Sequence, residues 1–187
     1  AWHGRVEWQS QMAIFEAAQN THTPMDYCYL TADTKVANLS QYQILFYPHA
    51  TIVTEETAGL LKEYVAGGGT LILGCRSGYK DSTGKCVTGK LPGLLQELCG
   101  TDVIEYTFVS PEDGTVYANW DGEQIEAAIF NDQLECCGKD AKVVAAYQNT
   151  YYAGTGALTE HVYGEGKVYY FGGAFTRDTA EVFLRKL

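Results

Sequence analysis

The residue types best suited to covalent chemistry sit in Gly74-Cys75-Arg76-Ser77-Gly78, directly after the apolar run Thr70-Leu-Ile-Leu73. A thiol on a sharp turn after a strand is a common place for a nucleophile in α/β enzymes, where Gly-x-nucleophile-x-Gly lets the backbone fold tightly around the attacking atom. Here the spacing fails. The central position between the two glycines is Arg76, which cannot attack, and Cys75 stands one residue early. A thiolate also needs an imidazole that is itself oriented by a carboxylate. The only late histidine, His161, falls inside an expected β-hairpin and lacks a His-x-Glu order. Cys75 therefore reads as a structural cysteine in a strand-end loop, with nucleophilic catalysis as the alternative.

Other chemistry is sparse. Gly67-Gly-Gly69 precedes a strand instead of opening a helix, so it offers no helix N-terminus to a pyrophosphate, and Gly172-Gly173 lies beside the aromatic run Tyr169-Tyr-Phe171, which argues for packing. Glu55-Glu56 and Glu165 fall at a helix start and a turn tip, positions of solvated carboxylates and not of an acid/base pair tuned by burial. The histidines His3, His22, His49 and His161 stand alone, and none of the six cysteines (Cys28, Cys75, Cys86, Cys99, Cys136, Cys137) is spaced as CxxC. No metal site and no cofactor is expected.

The elements that must position these groups begin with one well-marked unit, Tyr42 to Leu73. Ile44 to Tyr47 is a short strand stopped by Pro48. Thr54 is an N-cap followed by Glu55 and Glu56, which suit the positive end of a helix. Leu60, Leu61, Tyr64 and Val65 make its apolar stripe, Gly67 to Gly69 end it, and Thr70 to Leu73 resumes a strand. Strand, crossover helix and strand imply parallel pairing. Ligand or catalytic groups of such sheets gather after the strands' carboxyl ends, here after Tyr47 and Leu73.

Upstream, Trp8 to Asn20 has helical spacing and Met25 to Leu30 reads as a strand, with Thr31 to Gln41 a polar connection. Downstream, Pro92 to Gly100 reads as a short helix, Val103 to Trp120 as edge strands, Ile125 to Leu134 as ambiguous, Glu135 to Asp140 as a turn and Val143 to Tyr147 as a strand. Ala157 to Tyr163 and Lys167 to Phe171 flank Gly164-Glu-Gly166 as an antiparallel hairpin. Asp178 with Glu181 reads as a capping box for a last helix carrying Val182, Phe183, Leu184 and Leu187. One domain, residues 1–187, is expected, and Ala1-Trp2-His3, without initiator methionine or leader pattern, reads as part of a longer chain whose opening strand lies upstream.

Composition narrows the partners. With 46% hydrophobic residues and no run near twenty apolar positions, the chain calls for no membrane. Its formal charge of -10, with only 13 basic residues, provides no stripe for nucleic acid. The cysteines read as reduced thiols of a cytoplasmic protein. Aromatic residues make up 13%, and Tyr106, Tyr117, Trp120, Tyr151, Tyr152, Tyr169 and Tyr170 fit either sheet packing or an interface.

Taken in order, Tyr47-Pro48-His49-Ala50, Leu61-Lys-Glu-Tyr-Val65 into Gly68-Gly69-Thr70-Leu71, Arg76-Ser-Gly78 with Lys80-Asp81, Leu91-Pro-Gly93 before Leu98-Cys-Gly100, Ala145-Ala-Tyr147 with Tyr151-Tyr-Ala-Gly154, and Tyr163-Gly-x-Gly-Lys-Val-Tyr-Tyr170 carry a family resemblance. The chain resembles the middle, trimerisation domain of glycoside hydrolase family 42 β-galactosidases over about Tyr42 to Gly173. The first forty residues match poorly. The resemblance implies an α/β fold, flavodoxin-like or class I glutamine amidotransferase-like. That fold has a mainly parallel sheet, helices on both faces and a C-terminal antiparallel hairpin, without the amidotransferase triad.

It further implies a noncatalytic assembly domain in a homotrimeric parent whose catalytic TIM barrel, elsewhere in the same chain, binds terminal β-galactosides and hydrolyses them with retention, using two glutamates. Such glutamates typically follow an asparagine, and no Asn-Glu dipeptide occurs here. Arg76, Tyr79 and Asp81, after a strand's carboxyl end, are the candidates for a loop that meets another subunit. Two alternatives stay open: a free-standing amidotransferase-like enzyme or small-ligand binder using Cys75, and a carbohydrate-binding module using its tyrosines.

Overall fold

The computed structural model describes residues 2–187, with side chains from residue 6 onward. The readings placed on Ala1 and on the side chains of Trp2 and His3 therefore lie outside the described residues. Helix α1 (Trp2–Asn20) is longer than the periodicity indicated. It buries Val6, Ser10, Ile14, Ala17 and Ala18, the three- and four-residue spacing of one helical face. The short α2 (Val36–Leu39) follows, then β1 (Ile44–Tyr47), α3 (Glu55–Ala66) and β2 (Thr70–Leu73). Their boundaries are those of the anticipated unit. Thr54 Oγ1 accepts the Thr57 N–H at 3.2 Å to cap α3, and Gly68 takes a φ of 105° past its end.

Gly93–Leu95 makes a 3₁₀ turn that runs into α4 (Gln96–Cys99), which ends on left-handed Gly100. From there to Thr176 the chain is mostly strands: β3 (Thr101–Phe108), β4 (Tyr117–Trp120), β5 (Glu123–Glu126), β6 (Phe130–Cys136), β7 (Ala141–Tyr147), β8 (Gly156–Tyr163) and β9 (Gly166–Phe171). The hairpin β8–β9 closes with Tyr163 opposite Gly166 around the two-residue turn Gly164-Glu165. Helix α5 (Arg177–Lys186) ends the chain. Its cap is Thr176, whose Oγ1 accepts the Thr179 N–H at 3.3 Å, and not the expected Asp178–Glu181 box. Met25 to Leu30 forms no strand.

The nine strands among the described residues form one mixed sheet in the order β1-β2-β9-β8-β7-β4-β5, with β6 joining β3 to β8. Of eight pairings, β1–β2 and β2–β9 are parallel and the other six antiparallel. This corrects the expectation of a mainly parallel, flavodoxin-like or amidotransferase-like sheet with helices on both faces. A parallel neighbour needs a crossover, and between Gly100 and Thr176 the connections are turns such as Asp121-Gly122 and Gly164-Glu165, which can only reverse the chain. The strand–helix–strand unit at 44–73 is real but does not repeat.

The sheet curls into a half-barrel because β8 serves two neighbours at its start, pairing Ala146 of β7 and Leu134 of β6 at Gly156. A Cβ at Gly156 would lie 2.4 Å from the Leu134 carbonyl oxygen, so only glycine permits the branch.

Alternation along β2 and β9 divides the core. Ile72, Tyr169 and Phe171 pack with α1 and α5 through Ile14, Ala17, Ala180 and Phe183, whereas Leu71, Leu73, Val168 and Tyr170 pack with Leu61, Tyr64 and Val65 of α3 and with Leu95 and Leu98.

Candidate functional site

The carboxyl ends of β1 and β2 bring together the loop residues that the sequence marks. His49 and Arg76 both hold left-handed backbone, φ 58° and 66°, which bulky residues adopt only when their surroundings enforce it. Arg76 thus occupies the sharp-turn position that a nucleophile would hold in an elbow. Ser77 locks the turn: its buried Oγ donates to the Gly74 carbonyl at 2.8 Å and accepts the Ala50 N–H at 3.2 Å.

The residue that organises the site is Asp132 of β6, which is fully buried. Its Oδ2 accepts the Arg76 backbone N–H at 2.8 Å and the Tyr170 hydroxyl at 2.9 Å, and its Oδ1 accepts the Tyr79 hydroxyl at 3.2 Å. The Tyr147 hydroxyl donates to the Asp132 carbonyl oxygen at 2.8 Å. Burial pushes the Asp132 carboxyl up to about 6, although the Arg76 N–H and the tyrosine hydroxyls pull the other way. No sequence signal marked it, because one aspartate in the ambiguous stretch Ile125 to Leu134 looks like any turn or surface residue.

The Arg76 guanidinium lies 3.7 Å from the centre of the Tyr79 ring, 4.3 Å from that of Tyr106 and 5.4 Å from that of Phe130. Stacking on rings holds the cation without neutralising it. Its Nε and Nη1 are buried and make no hydrogen bond among the described residues. Arg76 and Tyr79, two of the three predicted loop residues, are therefore brought together. Asp81 is not part of that contact. Its Oδ1 accepts the N–H and the hydroxyl of Thr83, at 2.8 and 2.7 Å, and the Lys85 N–H at 3.1 Å, and these bonds, the Thr83 hydroxyl first, hold its carboxyl below the usual range.

Cys75 does have an imidazole beside it, and it is His49 instead of His161. His49 Nδ1 lies 3.5 Å from Cys75 Sγ, yet it also lies 2.7 Å from the Cys75 carbonyl oxygen, an acceptor that requires Nδ1 to donate. On the other side Nε2 shares a 2.7 Å hydrogen bond with Ser10 Oγ, which accepts the Phe175 N–H at 3.0 Å. Cys75 is fully buried, and burial first, then the Asp132 charge, raise its thiol well above the ordinary value. A sealed thiol that resists ionisation, beside an imidazole engaged on both nitrogens, is a packing arrangement. His161 is engaged elsewhere, bonding the Leu98 carbonyl through Nδ1 at 2.8 Å.

The other candidates resolve simply. Glu55, Glu56 and Glu165 are exposed. Of the seven marked aromatics, Trp120, Tyr152, Tyr169 and Tyr170 are core, Tyr117 is half-buried, and Tyr106 and Tyr151 are exposed. The six cysteines are unbridged. Among the described residues no helix is long and apolar enough to cross a membrane.

A sealed cysteine and histidine thus lie beneath a surface of arginine and aromatic rings. The chain belongs to the β-galactosidase trimerisation domain family, whose model matches residues 7–187. It is 30% identical over 158 residues to the β-galactosidase GanA of Bacillus subtilis, covering 82% of this chain and 23% of that protein, and equally so to GalA of Bacillus licheniformis. Among solved structures it is similar to a catalytic mutant of a GH42 β-galactosidase from G. stearothermophilus, with a TM-score of 0.83, 29% identity, and coverage of 95% of this chain and 25% of that one. The β-galactosidase of the haloarchaeon Halorubrum lacusprofundi superposes with a TM-score of 0.84 at 25% identity, covering 96% and 26%. The chain thus spans about a quarter of the length of its relatives.

Proposed function

We propose that this domain holds together the subunits of a homotrimeric, retaining β-galactosidase whose TIM barrel, elsewhere in the parent chain, binds and cleaves terminal β-D-galactosides. The domain itself does no chemistry. Membership of a family named for trimerisation carries this reading, and its relatives are named β-galactosidases. The sealed Cys75–His49 pair supports it against an amidotransferase-like enzyme or small-ligand binder. The unbridged cysteines accord with a cytoplasmic parent.

In this reading the surface around Arg76 and Tyr79 meets another subunit. Arg76 lies at the edge of an apolar surface where Tyr106, Phe108, Ile104 and Ile52 are exposed, its charge balanced in part by the buried Asp132. Arginine and tyrosine in such a setting are the residue types that dominate association energies. An acidic side chain of the neighbouring subunit would complement the charge of the half-buried Arg76 side chain. Asp81 serves by shaping the adjoining loop.

Native mass by light scattering tests the assembly. A trimer of this chain supports the reading directly. A monomer at every concentration, together with a parent enzyme that is also monomeric, refutes it.

A further inference from the structure

A pocket of about 530 Å³ opens on the sheet face that α1 and α5 cover, beside the last turn of α5. One wall is a row of side chains across three strands. Lys142 of β7 stands opposite Glu160 of β8, and Glu160 opposite Tyr169 of β9, so all three share one face. Lys167, two residues before Tyr169 on β9, joins them. The buried Glu160 is the hub: its Oε1 lies 2.9 Å from Lys142 Nζ, and its Oε2 accepts the Tyr169 hydroxyl at 2.5 Å and lies 3.6 Å from Lys167 Nζ. Trp120 and Val144 line the apolar side, with Lys186 Nζ 5.3 Å from the centre of the Trp120 ring.

The charges here do not cancel. Lys142 shares Glu160 with Lys167, and Lys186 shares Glu123 with Arg185, so each carboxylate serves two cations. Asp121, exposed on the β4–β5 turn, is the remaining acid on the lining. The pocket and its surround thus keep a net positive charge, in a chain whose formal charge is -10. Burial opposes ionisation of Glu160, but the Tyr169 hydroxyl and Lys142 hold its carboxyl below the usual range, so it anchors both ammonium groups at neutral pH. Each ammonium carries three donors, and the Lys142 and Lys167 side chains remain 63% and 49% exposed, which leaves donors free toward the pocket.

A concave pocket with an apolar side, anchored donors and surplus positive charge suits a small organic anion. We propose that this pocket binds one, its phosphate or carboxylate group held by the ammonium groups of Lys142 and Lys167 and its body lying against Trp120 and Val144. Glu160 is the positioning residue, because it touches both lysines and fixes where their remaining donors point. Such a site is independent of how the subunits assemble.

Acetylation of individual lysines in the full-length parent, read by mass spectrometry, tests the site. Inorganic phosphate, glucose 6-phosphate, citrate and uncharged glucose are each raised to about 10 mM at constant ionic strength, where a Kd of about 1 mM slows Lys142 and Lys167 about tenfold. The exposed Lys85 and Lys139, away from the pocket, keep their rates. Protection by the phosphates, by citrate or by both supports the site and shows which anionic group it takes. Lys167→Gln should then abolish the protection of Lys142. The proposal is overturned if no anion protects the pair, if glucose protects as well as the anions, or if all four lysines slow together. It is equally overturned if Lys142 and Lys167 are unreactive in the parent without any probe, because the pocket is then covered.

Discussion

The carboxylate of Asp132 accepts the backbone N–H of Arg76 at 2.8 Å, tying a residue of β6 to the turn after β2. The bond accompanies the left-handed backbone of Arg76, whose guanidinium lies against the Tyr79 and Tyr106 rings. One buried acid thus sets the shape of the surface proposed for assembly.

That acid makes stability depend on pH. Its folded-state value of about 6 lies above the ordinary 3.8, so the native state binds the proton more readily than the unfolded state does. Its contribution favours the fold most below about pH 4 and is lost as pH rises through about 6, a change on the order of 2 to 3 kcal/mol. Asp132→Asn keeps the acceptor for Arg76 and Tyr170 and offers a donor to Tyr79. Wild type should lose stability relative to D132N between pH 4.5 and 7.5, as measured by urea unfolding at each pH. A constant difference would show that Asp132 does not titrate there.

Arg76→Ala in the parent enzyme should weaken subunit association at least tenfold, a loss typical of a central arginine in an interface. Asp81→Ala, which disturbs only its own turn, should change association less than threefold. Sedimentation velocity measures both, and circular dichroism verifies that each variant remains folded. Equal effects would remove Arg76 from the proposed interface.

The thiols should separate by burial. Cys28, Cys86 and Cys137 are exposed, whereas Cys75 and Cys99 are buried and burial raises both thiols. Under native conditions at pH 7.5, maleimide should label the exposed three at least 100-fold faster than Cys75. Rapid labelling of Cys75 in the folded protein would reopen its candidacy as a nucleophile.

Gly78 and Gly114 both have positive φ, 68° and 75°, yet their surroundings differ. A Cβ at Gly78 would lie 1.9 Å from the Pro92 carbonyl oxygen, while at Gly114 it would meet nothing within 4 Å. Gly114→Ala should cost about 1 kcal/mol from backbone strain alone, and Gly78→Ala upward of about 3 kcal/mol because two loops must separate. Thermal unfolding ranks them, and similar costs would mean that the Gly78 loop yields freely.

For α5, Thr176→Ala should destabilise by about 1 kcal/mol and Asp178→Ala by less than half of that, because Thr176 supplies the cap bond. Denaturant titration of the two variants decides which residue caps the helix.

Where local rules suffice, the sequence by itself determined the structure. The strand–helix–strand unit from Ile44 to Leu73, the cap at Thr54, the stop at Gly67 to Gly69 and the β8–β9 hairpin depend on neighbours within a few residues. The ordered motifs from Tyr47 to Tyr170 also pointed to the family, because their sequence and spacing survive whatever the sheet does. What tertiary structure decided was pairing across distance. Whether a strand lies parallel or antiparallel, and that Gly156 can serve two neighbours at once, depends on close approaches that periodicity does not encode. The site divided in the same way. Arg76 and Tyr79 were legible as residues after a strand, but Asp132, 56 residues beyond Arg76 in the chain, and the Ser10–His49–Cys75 contacts exist only because the curled sheet folds β6 and α1 against the β2 turn.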